Sequence, residues 1–429
     1  MFRAFLLVLS FAVPVAAQNP REQKVRDDKK KVEAEGYWRY NDLPGAMVEA
    51  KKTGKPLVVV LRCIPCEECV KLDDDLVNSD PVIRPLLDQF IRVRIVGTNG
   101  LDLSLFQFDT DQSFAVFLLN ADGTIYGRFG TRSHRTNWVG DVSIKGLAKA
   151  LDGALELHAK FETTKPSLAA KRGPKPEAST PEQFPSFQGK FGKELDYAGT
   201  NVMKSCIHCH QIGEARHQYY RAKKEPLAEE LLFPYPHPKS IGLTLDPNER
   251  ATVKEVASDS AAAKAGFLAG DRIRSLASQP LLSIADVQWV LHNVTAEGKT
   301  ILAEIDRGKP AIGMTIPLKL EAGWRRAGDI SWRASNWGLR RMATGGMLLE
   351  EADGKLRVKH VGEFGAHAAA KNAGVKKGDT LVSFDGKDGF KREADVIFHA
   401  LTECKTGDRV PIVLNRDGKT VTVRLPIQD

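Results

Sequence analysis

Past its first residues this chain lacks any apolar run near the ~20 residues that a membrane helix needs. It also lacks charge of one sign. The 62 Lys and Arg stand against 54 Asp and Glu, a net of +8 spread along 429 residues. A nucleic-acid partner would call for a clustered basic face interleaved with aromatics. Lys29-Lys30-Lys31 is instead flanked by Asp27, Asp28 and Glu33, as on a solvated helix face. No G-x-S-x-G elbow and no Gly-Asn-Ser-Gly-Gly-type nucleophile is present, which leaves serine proteolysis without support. Cysteine is scarce. Of six in all, three are Cys63, Cys66 and Cys69, two are Cys206 and Cys209, and Cys404 stands alone.

The length suits about three domains, and 42% hydrophobic with 27% charged residues is ordinary for soluble globular material. Arg3, the apolar stretch Ala4 to Val13 and Val15-Ala16-Ala17 read as a cleaved export signal over 1–17. A periplasmic or secreted protein with no membrane span after cleavage is expected, in a compartment where disulfides persist. Residues 18–36 read as a charged tail or frayed helix. Residues 37–160 alternate strand and helix patterns, with Pro56 to Leu61 a buried strand and Phe90 to Val96 another. Five prolines among Lys, Ser, Thr and Ala make 161–190 a linker. A short segment, 191–236, holds Cys206-Ile207-His208-Cys209-His210.

The remainder repeats itself. Ala265-Gly266 to Gly270-Asp271 recurs as Ala373-Gly374 to Gly378-Asp379, each after an alanine-rich helix and before a strand and a second helix. A period of about 108 residues means two copies of a domain, 237–322 and 323–429, because solenoid repeats run to about 20–50 residues.

Two thiols one helical turn apart at a helix start, after an apolar strand, can cycle between dithiol and disulfide. The helix N-terminus favours thiolate, although Glu67 and Glu68 oppose that effect. Cys66-Glu67-Glu68-Cys69 through Leu76, continued by Asp80 to Leu87 and Phe90 to Val93, resembles thioredoxin-like proteins of the thioredoxin_7 type. The resemblance implies Cys66 as attacking and Cys69 as resolving thiol. Cys63-Ile64-Pro65-Cys66 makes Cys63 an alternative nucleophile. The proline usual before the facing strand is missing from Asp111-Gln112-Ser113-Phe114.

Cys206, Cys209 and His210 have the C-x-x-C-H spacing of covalent haem c attachment, with His210 as iron ligand. No methionine lies between Met203 and Met314, so His217 or His237 would be the distal ligand. Zinc held by Cys206, Cys209 and two of His208, His210 and His217 is the alternative, and a plain disulfide the third reading.

Both C-terminal copies resemble PDZ domains of the kind found behind HtrA-type proteases. Ser240-Ile241-Gly242-Leu243 in the first and Trp337-Gly338-Leu339 in the second take the place of the carboxylate-binding loop. The resemblance implies client proteins or peptide C-termini as partners, paired as an added strand. Cys404 reads as a buried apolar thiol. The expected fold is therefore multidomain α/β plus α+β: a thioredoxin-like domain, the C-x-x-C-H segment and two PDZ-like domains. The order of parts resembles an exported family that combines thioredoxin_7-like and PDZ domains, some members of which carry selenocysteine. The expected function is thiol–disulfide exchange with PDZ recruitment. The rival is a non-catalytic scaffold whose cysteines form structural disulfides or a zinc site.

Overall fold

The computed structural model describes residues 20–62, 64, 80–112, 114–133, 140–199 and 201–429. The expected signal peptide and Cys63, Cys66 and Cys69 lie outside the described residues. Among these, no helix is long and apolar enough to cross a membrane.

The first sheet is ordered β1-β3-β2-β4-β5. Its strands are β1 (Arg39–Tyr40), β2 (Leu57–Arg62), β3 (Ile91–Val96), β4 (Phe114–Leu119) and β5 (Ile125–Phe129). β1, β2 and β3 run parallel, and β4 and β5 return antiparallel. Side chains alternate across a strand, so the apolar run of β2 feeds two cores. Leu57, Val59 and Leu61 pack with Ala46 and Ala50 of helix α2 (Leu43–Thr53). Val58 and Val60 pack with Leu147 and Leu151 of the long helix Ile144–Ala159. Asp42 caps α2 by accepting from Gly45 N, and Gly54 ends it at φ 70°. A one-turn helix, α3 (Arg84–Leu87), leads into β3, and the long helix is α4.

Two stretches expected to be loose are packed. The charged tail forms helix α1 (Pro20–Glu35), with Val25 and Val32 buried. The Pro-rich linker begins as helix α5 (Phe161–Leu168), and its Lys171, Phe184 and Phe187 are all buried. The prolines there bend a chain that runs over the first domain and anchors itself with aromatic rings. Helices α6 (Val202–Ser205), α7 (Cys209–Ala222) and α8 (Glu229–Leu232) complete the middle segment.

The first C-terminal copy pairs β6 (Leu243–Leu245) with β7 (Val253–Val256) and adds α9 (Ala261–Ala265). Its sheet is ordered β11-β10-β8-β9, from β8 (Arg272–Leu276), β9 (Gln279–Pro280), β10 (Lys299–Arg307) and β11 (Ile312–Leu320), with helix α10 (Ile284–His292) alongside. The second copy runs α11 (Asn336–Thr344), β12 (Met347–Ala352), β13 (Lys355–Val361), α12 (Ala369–Asn372), β14 (Thr380–Phe384) and β15 (Lys387–Asp388). It ends with α13 (Glu393–Thr402), β16 (Arg409–Arg416) and β17 (Lys419–Pro426).

The repeated Gly-Asp has one physical cause in both copies. Buried Asp271 accepts from Arg307 at 2.7 and 2.7 Å, and buried Asp379 accepts from Arg416 at the same distances. Each arginine also donates to a glycine carbonyl, Gly266 at 2.8 Å or Gly374 at 2.7 Å. Each aspartate thus ties the turn before a strand to the strand beside it.

The loop assignment in the second copy needs correcting. Trp337, Gly338 and Leu339 lie inside α11, where Leu339 is buried in the core. The turn matching Gly242 (φ 86°) is at Gly346 (φ 85°). Gly242 O accepts from Ala257 N at 2.9 Å, and Gly346 O accepts from Gly362 N at 3.0 Å. The hydrophobic Trp-Gly-Leu pattern mimicked a loop because helix and loop both precede the strand.

Candidate functional site

The C-terminal end of β2 lies at the centre of the first sheet, and Arg62 pairs there with Val96 and Phe114. The thioredoxin-type cysteines follow Arg62 in sequence. Ile64, inside that motif, is buried against Val25 of α1, Val96 of β3 and Val202 of α6.

The C-x-x-C-H segment is docked on the same strand ends. Gly97 N donates to Arg62 O at 3.3 Å. Thr98 donates to Ile207 O twice, through N at 3.2 Å and Oγ1 at 2.8 Å. Asn99 accepts from Ile207 N at 2.9 Å and donates to Ser205 O and Gly192 O, each at 2.8 Å. Gly97 adopts φ 78°, and a Cβ there would stand 3.2 Å from Cys206 Sγ and 3.3 Å from Leu195. Valine at 97 is therefore both strained and crowded. Gly97→Val should cost about 1–3 kcal/mol in denaturant unfolding and speed alkylation of Cys206; unchanged stability and unchanged labelling would refute the docking.

Helix α1 straps the segment from the other side. The Glu22 carboxylate accepts from Val202 N at 2.9 Å and Met203 N at 3.1 Å, and Arg26 donates to Tyr197 O and Gly199 O at 2.8 and 2.7 Å. Burial disfavours the Glu22 carboxylate, but those two N–H groups and Arg26 outweigh it and hold the carboxyl below its usual range.

The donor set for haem is present, two thiols and the adjacent histidine. The packing does not fit the covalent group. Cys206 and Cys209 are both buried, Cys209 within the apolar cluster that covers one face of the first sheet. Cys206 points at Gly97, where a macrocycle would displace the 97–99 turn. His208 precedes the first turn of α7 and stacks on His210 at 5.9 Å, and burial lowers the pKa of both. His217 stands two turns further along α7 with Nε2 3.0 Å from Leu231 O, so neither the distal position nor the zinc set with Cys206 and Cys209 is assembled around it. His237, the other distal candidate, lies 3.6 Å from Asp141.

Sequence reasoning missed the groups facing this end of the sheet. Asp109 and Asp111 occupy the loop before β4. Arg333, from the connector between the two C-terminal copies, grips Asp109 through two 2.7 Å contacts and reaches Asp111 at 3.2 Å. Ser335 N and Oγ donate to Asp111 at 2.8 and 2.7 Å. Gly213 of α7 packs against Ser335 and Thr110 at the same point. Glu214, beside it, has its carboxyl pushed up to about 7 by burial and by the Asp111 carboxylate. Asp109 and Arg333 are 224 residues apart, and no local signal links them.

In the first C-terminal copy, Ile241, Gly242 and Leu243 are buried and Ser240 is half-buried, its Oγ without a partner. Lys239 donates to Ser133 at 2.8 Å and Asp141 at 3.1 Å of the first domain. Helix α10 is covered by that domain as well. Asp286 accepts from Arg128 N at 3.1 Å and pairs with buried Lys171 at 2.9 Å, and Thr131 donates to Gln288. Trp289 donates to Ala170 O at 2.9 Å beneath the Arg128 guanidinium. Ile284 to Leu291 are all buried.

The second copy is more open. The outer edge of β12 carries no partner strand among the described residues. It faces a cleft of about 570 Å³ lined by Leu348 to Glu351, Arg392 to Ala394 and the connector 327–332. Glu393 fills one end, accepting from Arg340 at 2.9 and 2.7 Å and from Leu349 N at 3.0 Å. Cys404 is buried in the apolar core of this copy as expected, and its Sγ also lies 3.4 Å from Asp385.

His217 is buried, His237 and His292 are half-buried, and all three are held towards the neutral form. Burial lowers His217 and His237 to about 4, and burial with the surrounding Arg325, Arg216, Arg333 and Arg128 holds His292 well below the usual range. For His217 and His237 the contribution is whole above the unfolded value near 6.5 and is lost as pH falls towards about 4, and His292 acts in the same direction. Stability should therefore drop between those limits, by up to about 1.4 kcal/mol per pH unit per group. A melting temperature that stays level from pH 7 to 4.5 would contradict this.

Residues 38–121 match the thioredoxin-like family model and residues 239–318 match the PDZ domain model. The chain thus carries a thioredoxin-like domain and a PDZ domain, a combination that fits a redox protein with a PDZ module. No curated protein matches the chain.

Proposed function

We propose that the chain is an exported thiol–disulfide redox protein in which Cys66 and Cys69 exchange disulfides with client proteins, and Cys206 and Cys209 form a second, internal dithiol. The observation that carries this reading is the docking of Cys206 against Gly97, whose N–H bonds the carbonyl of Arg62 at the strand end where the first motif begins. Cys66 thiolate attacks a client disulfide, a mixed disulfide forms and one client thiolate leaves. Cys69 thiolate then attacks the Cys66 sulfur, releasing the second client thiol and closing Cys66–Cys69. The dithiol at 206 and 209 reopens that bond by the same two exchanges, and an external dithiol regenerates it. No step needs haem.

The PDZ domain fits peptide or protein partners. With α10 covered by the thioredoxin-like domain, the first copy serves as an internal brace. Client segments pair with the unpartnered edge of β12 in the second copy, in the cleft beside α13.

Trapping tests the reading. Combining Cys69→Ser with Cys209→Ser or with Cys206→Ser removes the resolving thiol on both sides, and after reaction with a client disulfide peptide mapping should find, in at least one of the two variants, Cys66 bridged to the remaining cysteine of the inner pair within one chain. A Cys66 found only as free thiol or only on other proteins would remove the internal relay.

A further inference from the structure

The turn joining β14 to β15, the last turn of α13 and the segment after it bring three different ligand types to one point of the second C-terminal copy. Asp385 Oδ2 lies 3.1 Å from His399 Nε2 and 3.4 Å from Cys404 Sγ, and that sulfur is 4.0 Å from the same Nε2. Among the described residues this is the one group of three or more His, Cys, Asp or Glu whose ligand atoms fall within 4.8 Å of one another. The triangle is close to one face of a tetrahedral zinc site. Bonds of about 2.0–2.1 Å to nitrogen or oxygen and about 2.3 Å to sulfur place ligand atoms about 3.3–3.6 Å apart.

Each corner is held by its own surroundings. Asp385 sits in a left-handed turn at φ 53°, its N–H donating to Pro411 O at 2.9 Å. His399 is buried with its ring against Phe384 and Phe390, at 6.2 and 5.8 Å. Cys404 is buried near Asp385, Asp408 and Glu403. Burial and these carboxylates push its thiol up to about 12. Such surroundings make a poor nucleophile and suit a divalent cation, which would offset the clustered negative charge. Asp385 keeps about a third of its side chain in solvent, 36%, so the face opposite the protein is open to water. Lys387 Nζ, 3.4 Å from His399 Nδ1, opposes a cation, but its side chain is exposed and long enough to withdraw.

We propose that Asp385, His399 and Cys404 bind one zinc-class divalent cation through Oδ2, Nε2 and Sγ, with solvent as the fourth ligand. On binding, the Cys404 thiol proton goes to solvent and the imidazole proton moves from Nε2 to Nδ1 as Lys387 turns away. The cation would tie the β14–β15 turn to the end of α13, one wall of the cleft. The site is independent of the redox reading and of Cys206 and Cys209.

Cobalt titration of the reduced full chain tests it. The wild-type protein should show a thiolate-to-cobalt charge-transfer contribution that Zn²⁺ displaces and that Cys404→Ser removes. The Cys206→Ser/Cys209→Ser variant should retain it. Asp385→Asn, a same-shape change at a partly exposed position, should weaken the Cys404-dependent cobalt binding by about 10–100-fold, and it keeps the test decisive if Cys404→Ser does not fold. Identical cobalt spectra with and without Cys404, or wild-type affinity in Asp385→Asn, would overturn the site.

Discussion

Arg333→Ala should destabilise the protein by about 3–5 kcal/mol, the range for removing one partner of a buried ion pair. Arg333 and Asp109 are 5% and 3% exposed, and Asp111 lies within reach of the same guanidinium. Without the arginine, two carboxylates in a dry site face each other with no cation between them. Arg333→Lys should recover only part of the loss, because an ammonium cannot reproduce the bidentate grip on Asp109. Adding Asp109→Asn to Arg333→Ala should also recover part, since it removes one uncompensated charge. Urea unfolding of the four proteins checks the set. If Arg333→Ala matches the wild type within 1 kcal/mol (roughly the worth of an exposed pair), the connector does not clamp the loop before β4.

The second large effect concerns chemistry. Cys66→Ser should reduce disulfide-exchange turnover by about 10³-fold or more, as expected when a nucleophile is deleted. Cys63→Ser should leave most of the activity if Cys66 is the attacking thiol, and the two results should exchange places if Cys63 is. The Cys206→Ser/Cys209→Ser variant should keep exchange driven by an added small dithiol, since that reductant bypasses the inner pair. Turnover that stays at the wild-type level in both Cys66→Ser and Cys63→Ser would leave the scaffold reading in possession of the chain.

Local patterns carried much of this architecture in the sequence. The all-apolar run of β2 signals a strand covered on both faces, and the recurring Ala-Gly to Gly-Asp stretch signals a duplicated domain whose aspartates bind arginines. What the sequence hid depends on polar contacts between distant segments. Helix α1 offers only Val25 and Val32 as buried apolar anchors among charges, and it docks through Glu22 and Arg26. Phe184 and Phe187 hold a stretch whose prolines suggest a free linker. Asp109 meets Arg333, and Asp385 meets Cys404, only because three domains pack or a helix turns the right way. Hydrophobic periodicity is blind to such pairs, because they use ionic and hydrogen-bonding groups with no fixed spacing.

One measurement bears most directly on the claim that two dithiols work together at one end of the first sheet. The purified chain would be equilibrated across a series of thiol–disulfide buffers, quenched with alkylating agent and mapped by mass spectrometry. The account predicts that Cys66–Cys69 and Cys206–Cys209 each open and close reversibly as the buffer is varied. Sulfurs that stay bridged or stay reduced throughout the series would contradict it.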